Sequence, residues 1–377
     1  MKDKQSRHSW HKLRRKQRGS QQEDLTSMKE VAEHFFEGVE KLLEVWVGPY
    51  DHRNQKSDLR NIPREALDEL MEDAKCEIIS TRSSSLVDAY VLSESSMFIS
   101  RCRFILKTCG TTTPLKCIPR LLGLVKQHTG FTQVEDIFYS RKNFRQPSLQ
   151  DETHRSFTAE VEALENMFPT GQAYCLGRLN GDCWYLFALD RPYALLGGGR
   201  VGPLATPALA APHRHQPDQT LEVVMTDLEP EVMALFHQSQ CATAAEATKR
   251  SGIDQLLPGV RIDDVLFDPC GYSMNGLLDN GCYVTIHITP ETEFSYVSFE
   301  TNIPQSCYKD VINRVVDCFK PGKVLVTVFA NKSSEANEFA RQLKLPTLRS
   351  EYRQRDLQYC SVRGYDLVYA LFEEWPS

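Results

Sequence analysis

Tyr90-Val91-Leu92-Ser93-Glu94-Ser95-Ser96-Met97-Phe98 is the stretch on which the reading of this chain turns. Residues with strand preference flank a short polar run, so the segment reads as a strand, a turn and a second strand. Taken alone, a serine in such a turn is an ordinary turn hydroxyl.

Working outward, further strand candidates are Ala89–Ser93, Met97–Lys107, Ala173–Gly177, Cys183–Leu189, Thr220–Met225, Tyr283–Ile288, Phe294–Phe299 and Val324–Phe329. Asn180-Gly181-Asp182 and Asp279-Asn280-Gly281 supply turns between neighbours. A period near 3.6 marks helices at Arg64–Lys75 and Tyr308–Phe319, and more weakly at Phe157–Phe168 and Glu229–His237. Hairpins interleaved with helices predict a mainly antiparallel α+β arrangement. Glu37–Trp46 fits a helix bearing Glu37, Glu40 and Glu44 on one face. It fits equally a strand from Glu40 with Glu40, Leu42, Glu44 and Trp46 on one side.

Composition sets the bounds. The chain has 377 residues, 41% of them hydrophobic, and a net charge of −6, which does not suit a general nucleic-acid binder. No apolar run reaches the length of a membrane span, and the N-terminus lacks the apolar stretch of a secretory signal. Twelve cysteines lack any C-x-x-C pair, so they read as reduced thiols of a cytosolic protein. Residues 1–28 form a basic extension expected to be disordered, with eight Lys or Arg in positions 1–18 against Asp3. Residues 193–215 are rich in Gly, Ala and Pro and predict a flexible inserted loop. His213 and His215 within it lack further ligands, so no metal site is expected.

The company kept by the opening stretch changes its meaning. Phe104-Ile105-Leu106-Lys107-Thr108-Cys109-Gly110-Thr111-Thr112 follows, then Phe138-Tyr139-Ser140-Arg141-Lys142-Asn143-Phe144 and Gln216-Pro217-Asp218-Gln219-Thr220-Leu221-Glu222. Phe267-Asp268-Pro269-Cys270-Gly271-Tyr272-Ser273-Met274-Asn275-Gly276, His287-Ile288-Thr289-Pro290-Glu291 and Phe294 through Asn302 complete the series. Across roughly residues 34–330 the chain resembles the eukaryotic S-adenosylmethionine decarboxylase proenzymes. The resemblance implies a four-layer αββα sandwich, two mainly antiparallel sheets with helices on the outer faces, and so a strand at Glu40–Trp46. It implies one domain over 29–377, cut between Glu94 and Ser95 into a beta chain 1–94 and an alpha chain 95–377 that stay associated.

In that family the serine after the cut becomes a pyruvoyl group, which replaces pyridoxal phosphate and takes the substrate amine as a Schiff base. The residue matching it is Ser95. By the same resemblance Ser273 supports the oxyanion of an amide-to-ester shift, and His287, whose ordinary pKa lies near neutrality, is the base that removes the Ser95 α-proton. Cys109 matches the proton donor of decarboxylation, and Glu37 and Glu40 match active-site acids. Phe36 and Phe267 match an aromatic clamp on the adenine of S-adenosylmethionine, and Glu291 the acid that holds the ribose.

The family's animal members also bind putrescine as an activator. The matching acids are Glu40, Glu44, Asp218, Glu222 and Glu300, with Lys107 as a fixed partner. Crowded buried carboxylates need such a cation. Thr220, Ser140, Arg141, Phe138 and Phe329 match residues that line or link this region, and Tyr365 matches a tyrosine beside it. A homodimer of alpha/beta pairs is implied, together with a product that feeds spermidine and spermine biosynthesis. The extension, the 193–215 loop and the portion after about residue 332 depart from the family pattern, which leaves an alternative: a non-catalytic paralogue that regulates an active subunit. A nucleic-acid-binding role for the basic extension is a third reading.

Overall fold

The computed structural model describes residues 35–48, 57–204, 216–337 and 348–375. The chain divides into two units, Met1–Phe36 and Glu37–Ser377, and the second holds both sheets. The 1–28 extension, His213 and His215 lie outside the described residues, and Phe36 falls in the first unit.

The first sheet contains β1 (Lys41–Gly48), β2 (Ile78–Ser83), β3 (Val87–Leu92), β4 (Ser95–Ser100), β5 (Arg103–Thr108), β6 (Gln133–Lys142), β7 (Gly171–Gly177), β8 (Cys183–Leu189), β9 (Tyr193–Leu195) and β10 (Val201–Gly202). Their order is β10-β9-β6-β1-β5-β4-β3-β2, with β8 also on β6 and β7 outside β8. The second sheet contains β11 (Gln219–Leu228), β12 (Arg261–Leu266), β13 (Tyr272–Leu277), β14 (Tyr283–Thr289), β15 (Tyr296–Thr301), β16 (Pro321–Asn331), β17 (Tyr352–Val362) and β18 (Tyr365–Glu374), in the order β12-β13-β14-β15-β11-β16-β18-β17.

Strand alternation sorts the residues into layers. On β1, Leu43, Val45 and Val47 face outward. There they pack under α1 (Arg64–Ala74), α2 (Ile118–His128) and α3 (Phe157–Met167) through Leu70, Leu121 and Leu164. On β11, Leu221, Val223 and Met225 do the same beneath α4 (Ala244–Ser251) and α5 (Lys309–Phe319). The inner faces meet through Trp46, Phe138, Val224, Tyr296 and Leu325, and through Phe98 stacked on Tyr283 at 4.3 Å. Each such fully buried side chain contributes about 1.5–3 kcal/mol. The result is the expected αββα sandwich, and the Glu37–Trp46 ambiguity resolves as a strand beginning at Lys41.

Two expectations need correction. Met97–Lys107 is not one strand: the chain bends at Arg101 and Cys102, and β5 returns antiparallel along β4. The polar run Ser100-Arg101-Cys102-Arg103 does interrupt the two apolar runs there, but it holds none of the Gly, Pro, Asn or Asp residues that mark a turn. The 193–215 segment begins as structure, not as loop. Tyr193 and Leu195 are buried in the core, and β9 pairs with both β6 and β10.

Candidate active site

The opening stretch folds as read. Leu92 pairs with Ser95 across a turn made of Ser93 and Glu94. Ser95 has φ 110°, a value that glycine tolerates and serine does not. Such a conformation costs about 1–3 kcal/mol and persists only where its surroundings impose it. Those surroundings are the β4–β5 fold-back, which sets Ser95 opposite Thr108 and therefore beside Cys109. The Cys109 backbone N–H donates to the Glu94 carbonyl at 3.2 Å. The buried Ser95 hydroxyl donates to Glu40 Oε1 at 3.1 Å, and Cys109 Sγ lies 3.4 Å from Ser95 Oγ. Burial, reinforced by the charges of Glu94 and Glu40, holds the Cys109 thiol well above its usual range, so it keeps its proton.

The second sheet contributes the facing half. Ser273 and His287 are register partners on β13 and β14, and Asn275 and Thr285 are the next pair on the same face. His287 Nδ1 sits 2.9 Å from Ser273 Oγ. Its Nε2 sits 2.8 Å from Thr285 Oγ1, 3.0 Å from Ser96 Oγ and 3.7 Å from Glu40 Oε1. The near-neutral pKa expected of His287 does not hold in this setting. Burial first, then the Lys107 charge, pulls it down to about 3, with Glu300 opposing. The ring is therefore neutral across the physiological range.

Between the sheets lies a layer of charge. Lys107 Nζ, fully buried, reaches Glu222 at 2.6 Å, Glu300 at 2.8 Å and Glu40 at 3.4 Å. Burial disfavours the ammonium, but the three carboxylates outweigh it and raise its pKa well above normal. Burial likewise raises Glu40 and Glu222, against the pull of Lys107. The expected acids do not form one cluster. Glu44 and Asp218 belong to a second cation, Arg103, at 2.7 and 3.1 Å. Arg103 was missed in the sequence, yet strand alternation puts it on the same face of β5 as Lys107. Tyr365 donates to Asp218 at 2.9 Å, stacks on Phe329 at 4.4 Å and meets Phe138 edge-on at 5.4 Å. Ser140 on β6 pairs with Leu42, and Thr220 on β11 pairs with Phe329, both flanking this region.

Not every expected residue joins these groups. Arg141 alternates away from Ser140 and pairs on the outer face with Glu160 at 2.8 Å, so it does not line the charged layer. The Glu37 carboxylate accepts from the backbone N–H groups of Arg145 and Gln146 at 2.9 and 3.0 Å, which ties down the loop after β6. Its main-chain carbonyl accepts from the Gly110 N–H at 2.8 Å, next to Cys109. Phe267 and Glu291 flank the turns that lead into β13 and out of β14, at one end of the second sheet.

Known proteins similar to this chain agree with one another. Residues 33–373 match the family model described as adenosylmethionine decarboxylase. A Drosophila melanogaster protein named S-adenosylmethionine decarboxylase proenzyme is 48% identical over 349 residues, covering 92% of this chain and 97% of that protein. A Xenopus laevis protein of the same name is 47% identical, with the same coverage. Among solved structures, the Trypanosoma brucei AdoMetDC-delta26 monomer superposes with a TM-score of 0.54 over 74% of this chain and 99% of its own. At 21% identity, that likeness speaks to the fold.

Proposed function

This chain belongs to the adenosylmethionine decarboxylase family, and on that premise we propose that it is a proenzyme that cuts itself between Glu94 and Ser95 and then decarboxylates S-adenosylmethionine. The observation that carries the reading is Ser95: a buried serine in a glycine-like conformation, its hydroxyl on a carboxylate and its preceding carbonyl on an N–H. Strain at one residue, with an acceptor and an oxyanion donor already in place, is an arrangement built for a local rearrangement.

In the first step Ser95 Oγ adds to the Glu94 carbonyl carbon while its proton passes to Glu40. The attack is intramolecular, so its entropy cost is already met. The Cys109 N–H supports the developing oxyanion, with the Ser273 hydroxyl as its second donor. The C–N bond breaks, Glu94 becomes an ester of Ser95, and the Ser95 amine is freed with the proton it needs. In the second step His287 removes the Ser95 α-proton, the ester C–O bond breaks, and Glu94 leaves as a carboxylate. Water then replaces nitrogen at the former Ser95 α-carbon, and ammonia departs. The pyruvoyl ketone left at the new N-terminus supplies the electron sink for loss of CO₂. Cys109, held protonated, is the proton source on the same side of the site.

Phe267, Glu291 and Glu37 form the substrate end of the site. Glu40, Glu44, Asp218, Glu222 and Glu300 form an acidic layer that two fixed cations, Lys107 and Arg103, do not neutralise. A diamine dication such as putrescine would supply the missing positive charge. Decarboxylated S-adenosylmethionine would serve aminopropyl transfer to spermidine and spermine, in the cytosol, from a dimer of alpha/beta pairs. No described helix is long and apolar enough to cross a membrane.

Intact-mass measurement tests the reading. The expected result is two chains, of 94 and 283 residues, with the larger carrying a ketone that borohydride reduces; Ser95→Ala should run as one folded chain that releases no CO₂. A single uncut wild-type chain, inert toward labelled S-adenosylmethionine, would instead mark a regulatory paralogue.

A further inference from the structure

His287 has two hydrogen-bonded nitrogens, and which of them carries the proton decides which can act as a base. The neighbours answer through their own proton accounting. Ser96 Oγ donates to Asn275 Oδ1 at 2.7 Å. Thr285 Oγ1 donates to the Met274 carbonyl at 3.1 Å. Each hydroxyl has one proton, so with the amide placed this way both are committed, the 3.3 Å contact between the two hydroxyls has none, and Asn275 Nδ2 has no partner among the described residues. Toward Nε2 they present only lone pairs, at 3.0 and 2.8 Å. A lone pair on Nε2 would then face two oxygen lone pairs in a buried, low-dielectric site, whereas an Nε2–H satisfies both.

Turning the Asn275 amide over does not reverse this. Asn275 Nδ2 would donate to Ser96, and Ser96 could donate to Nε2. The Thr285 contact at 2.8 Å would then set two lone pairs against each other, or strip the Met274 carbonyl of its bond. With the amide turned, the Nε2–H tautomer satisfies every contact at once: Asn275 donates to Ser96, Ser96 to Thr285 at 3.3 Å, Thr285 to the Met274 carbonyl, and Nε2–H to both hydroxyls, whereas no Nδ1–H arrangement does.

We propose that Thr285, with Ser96 and Asn275, holds His287 as the Nε2–H tautomer in the uncut chain, leaving its lone pair on Nδ1 capped by the Ser273 hydroxyl at 2.9 Å. Ser273 thereby acquires a double role. While its proton points at Nδ1, the base is masked. When the acyl shift creates an oxyanion, the same proton turns to it, and the Nδ1 lone pair is released. The order of the two steps, ester first and elimination second, follows from one hydroxyl serving one acceptor at a time. Thr285 and Asn275 touch neither the scissile bond nor its carbonyl in any contact described above, so they are positioning residues. The tautomer stands on the hydrogen bonds alone; the masking role rests on the self-processing reading.

The direct test is ¹⁵N–¹H spectroscopy of histidine-labelled Ser95→Ala protein, which remains uncut. The His287 resonances are assigned by their loss in Ser95→Ala/His287→Asn. The expected result is a proton on Nε2 and an unprotonated Nδ1. A proton on Nδ1, or comparable populations of both tautomers, overturns the proposal. In a second arm, Thr285→Val removes the acceptor and should shift the tautomer population toward Nδ1–H. With Ser95 present it should slow cleavage about tenfold, and Thr285→Ser should restore both readouts. If Thr285→Val slows cleavage without moving the tautomer, the residue is merely structural and the proposal fails. Wild-type protein that stays uncut by mass defeats the self-processing reading while the Nε2–H result stands; cut protein with a proton on Nδ1 defeats this inference alone.

Discussion

Two buried ion clusters sit on opposite faces of the first sheet, and they differ in stoichiometry. On the inner face one ammonium, Lys107, serves Glu40, Glu222 and Glu300. On the outer face one guanidinium, Arg141, serves the single carboxylate of Glu160, which also accepts from Tyr139 at 2.5 Å and lies 2.8 Å from His154 Nδ1. Burial holds the His154 pKa down, although Glu160 works the other way. Lys41, buried on the same face, shares the Phe144 ring with Arg141 and lies in the field of Glu160, so the outer cluster carries no surplus of acid; it ties β6 to α3. The inner cluster does not balance: among the described residues three carboxylates meet the one ammonium, Glu40 at the longest distance, 3.4 Å. Buried charge alone is therefore a structural device; a surplus of one sign next to a strained serine is the mark of chemistry.

Removing one partner from each cluster should break the comparison most sharply. Lys107→Met and Glu160→Gln each strand buried charge, and each should cost about 3–5 kcal/mol of stability in denaturant titration. They part company in cleavage. Without Lys107 the Glu40 pKa rises further, the carboxylate takes a proton from solvent, and it can no longer accept one from Ser95. Cleavage of folded Lys107→Met should nearly cease, while folded Glu160→Gln should cut at the wild-type rate. Equal cleavage defects, measured by mass against time, would erase the distinction.

A smaller effect should follow from adding a diamine. A dication that binds only the folded chain stabilises it by about 2.7 kcal/mol at a hundred times its dissociation constant. Putrescine should therefore raise the melting temperature of Ser95→Ala protein. Glu222→Gln, which reduces the acid surplus, should shrink that rise, and Glu160→Gln should leave it unchanged. A rise that persists in Glu222→Gln would place the diamine elsewhere.

How much of this was legible beforehand follows from what each signal depends on. The hairpin around Ser95 was readable because strand preference and turn chemistry are local. Cys183–Leu189 was read with its bounds intact for the same reason. The β4–β5 reversal was not, since the polar run Ser100-Arg101-Cys102-Arg103 lacks the Gly, Pro, Asn or Asp that usually signals a turn. Arg103 was within reach: Arg103, Ile105 and Lys107 alternate onto one face, and a face already holding one cation and several acids invites a second. Helix α2 was not among the expected helices, although Leu121, Leu122 and Val125 carry its period and Pro119 stands at its start, where proline is tolerated. The Ser96, Asn275 and Thr285 triad was beyond local reading. It exists only once β13 and β14 are in register and β4 is laid against them.

The smallest predicted effect separates the clusters by acid titration. His287 has a folded pKa of about 3 against an ordinary value of 6.5. Between those pH values the unfolded chain holds a proton there that the folded chain lacks. Stability must then rise with pH across that window, by about 1.4 kcal/mol per pH unit for this one group, and be lost as the pH falls toward 3. Glu40 and Glu222 act in the opposite sense, because their raised pKa values let the folded chain bind protons first. A raw acid-denaturation curve therefore mixes both signs, and only a difference isolates the histidine. Ser95→Ala and Ser95→Ala/His287→Asn share every carboxylate and neither is cut. Urea unfolding of the pair across pH 4 to 6 should give a shallower stability slope for the double variant, by close to one proton. Parallel slopes would mean that His287 titrates alike in the folded and unfolded chains, and that its surroundings do not hold it neutral.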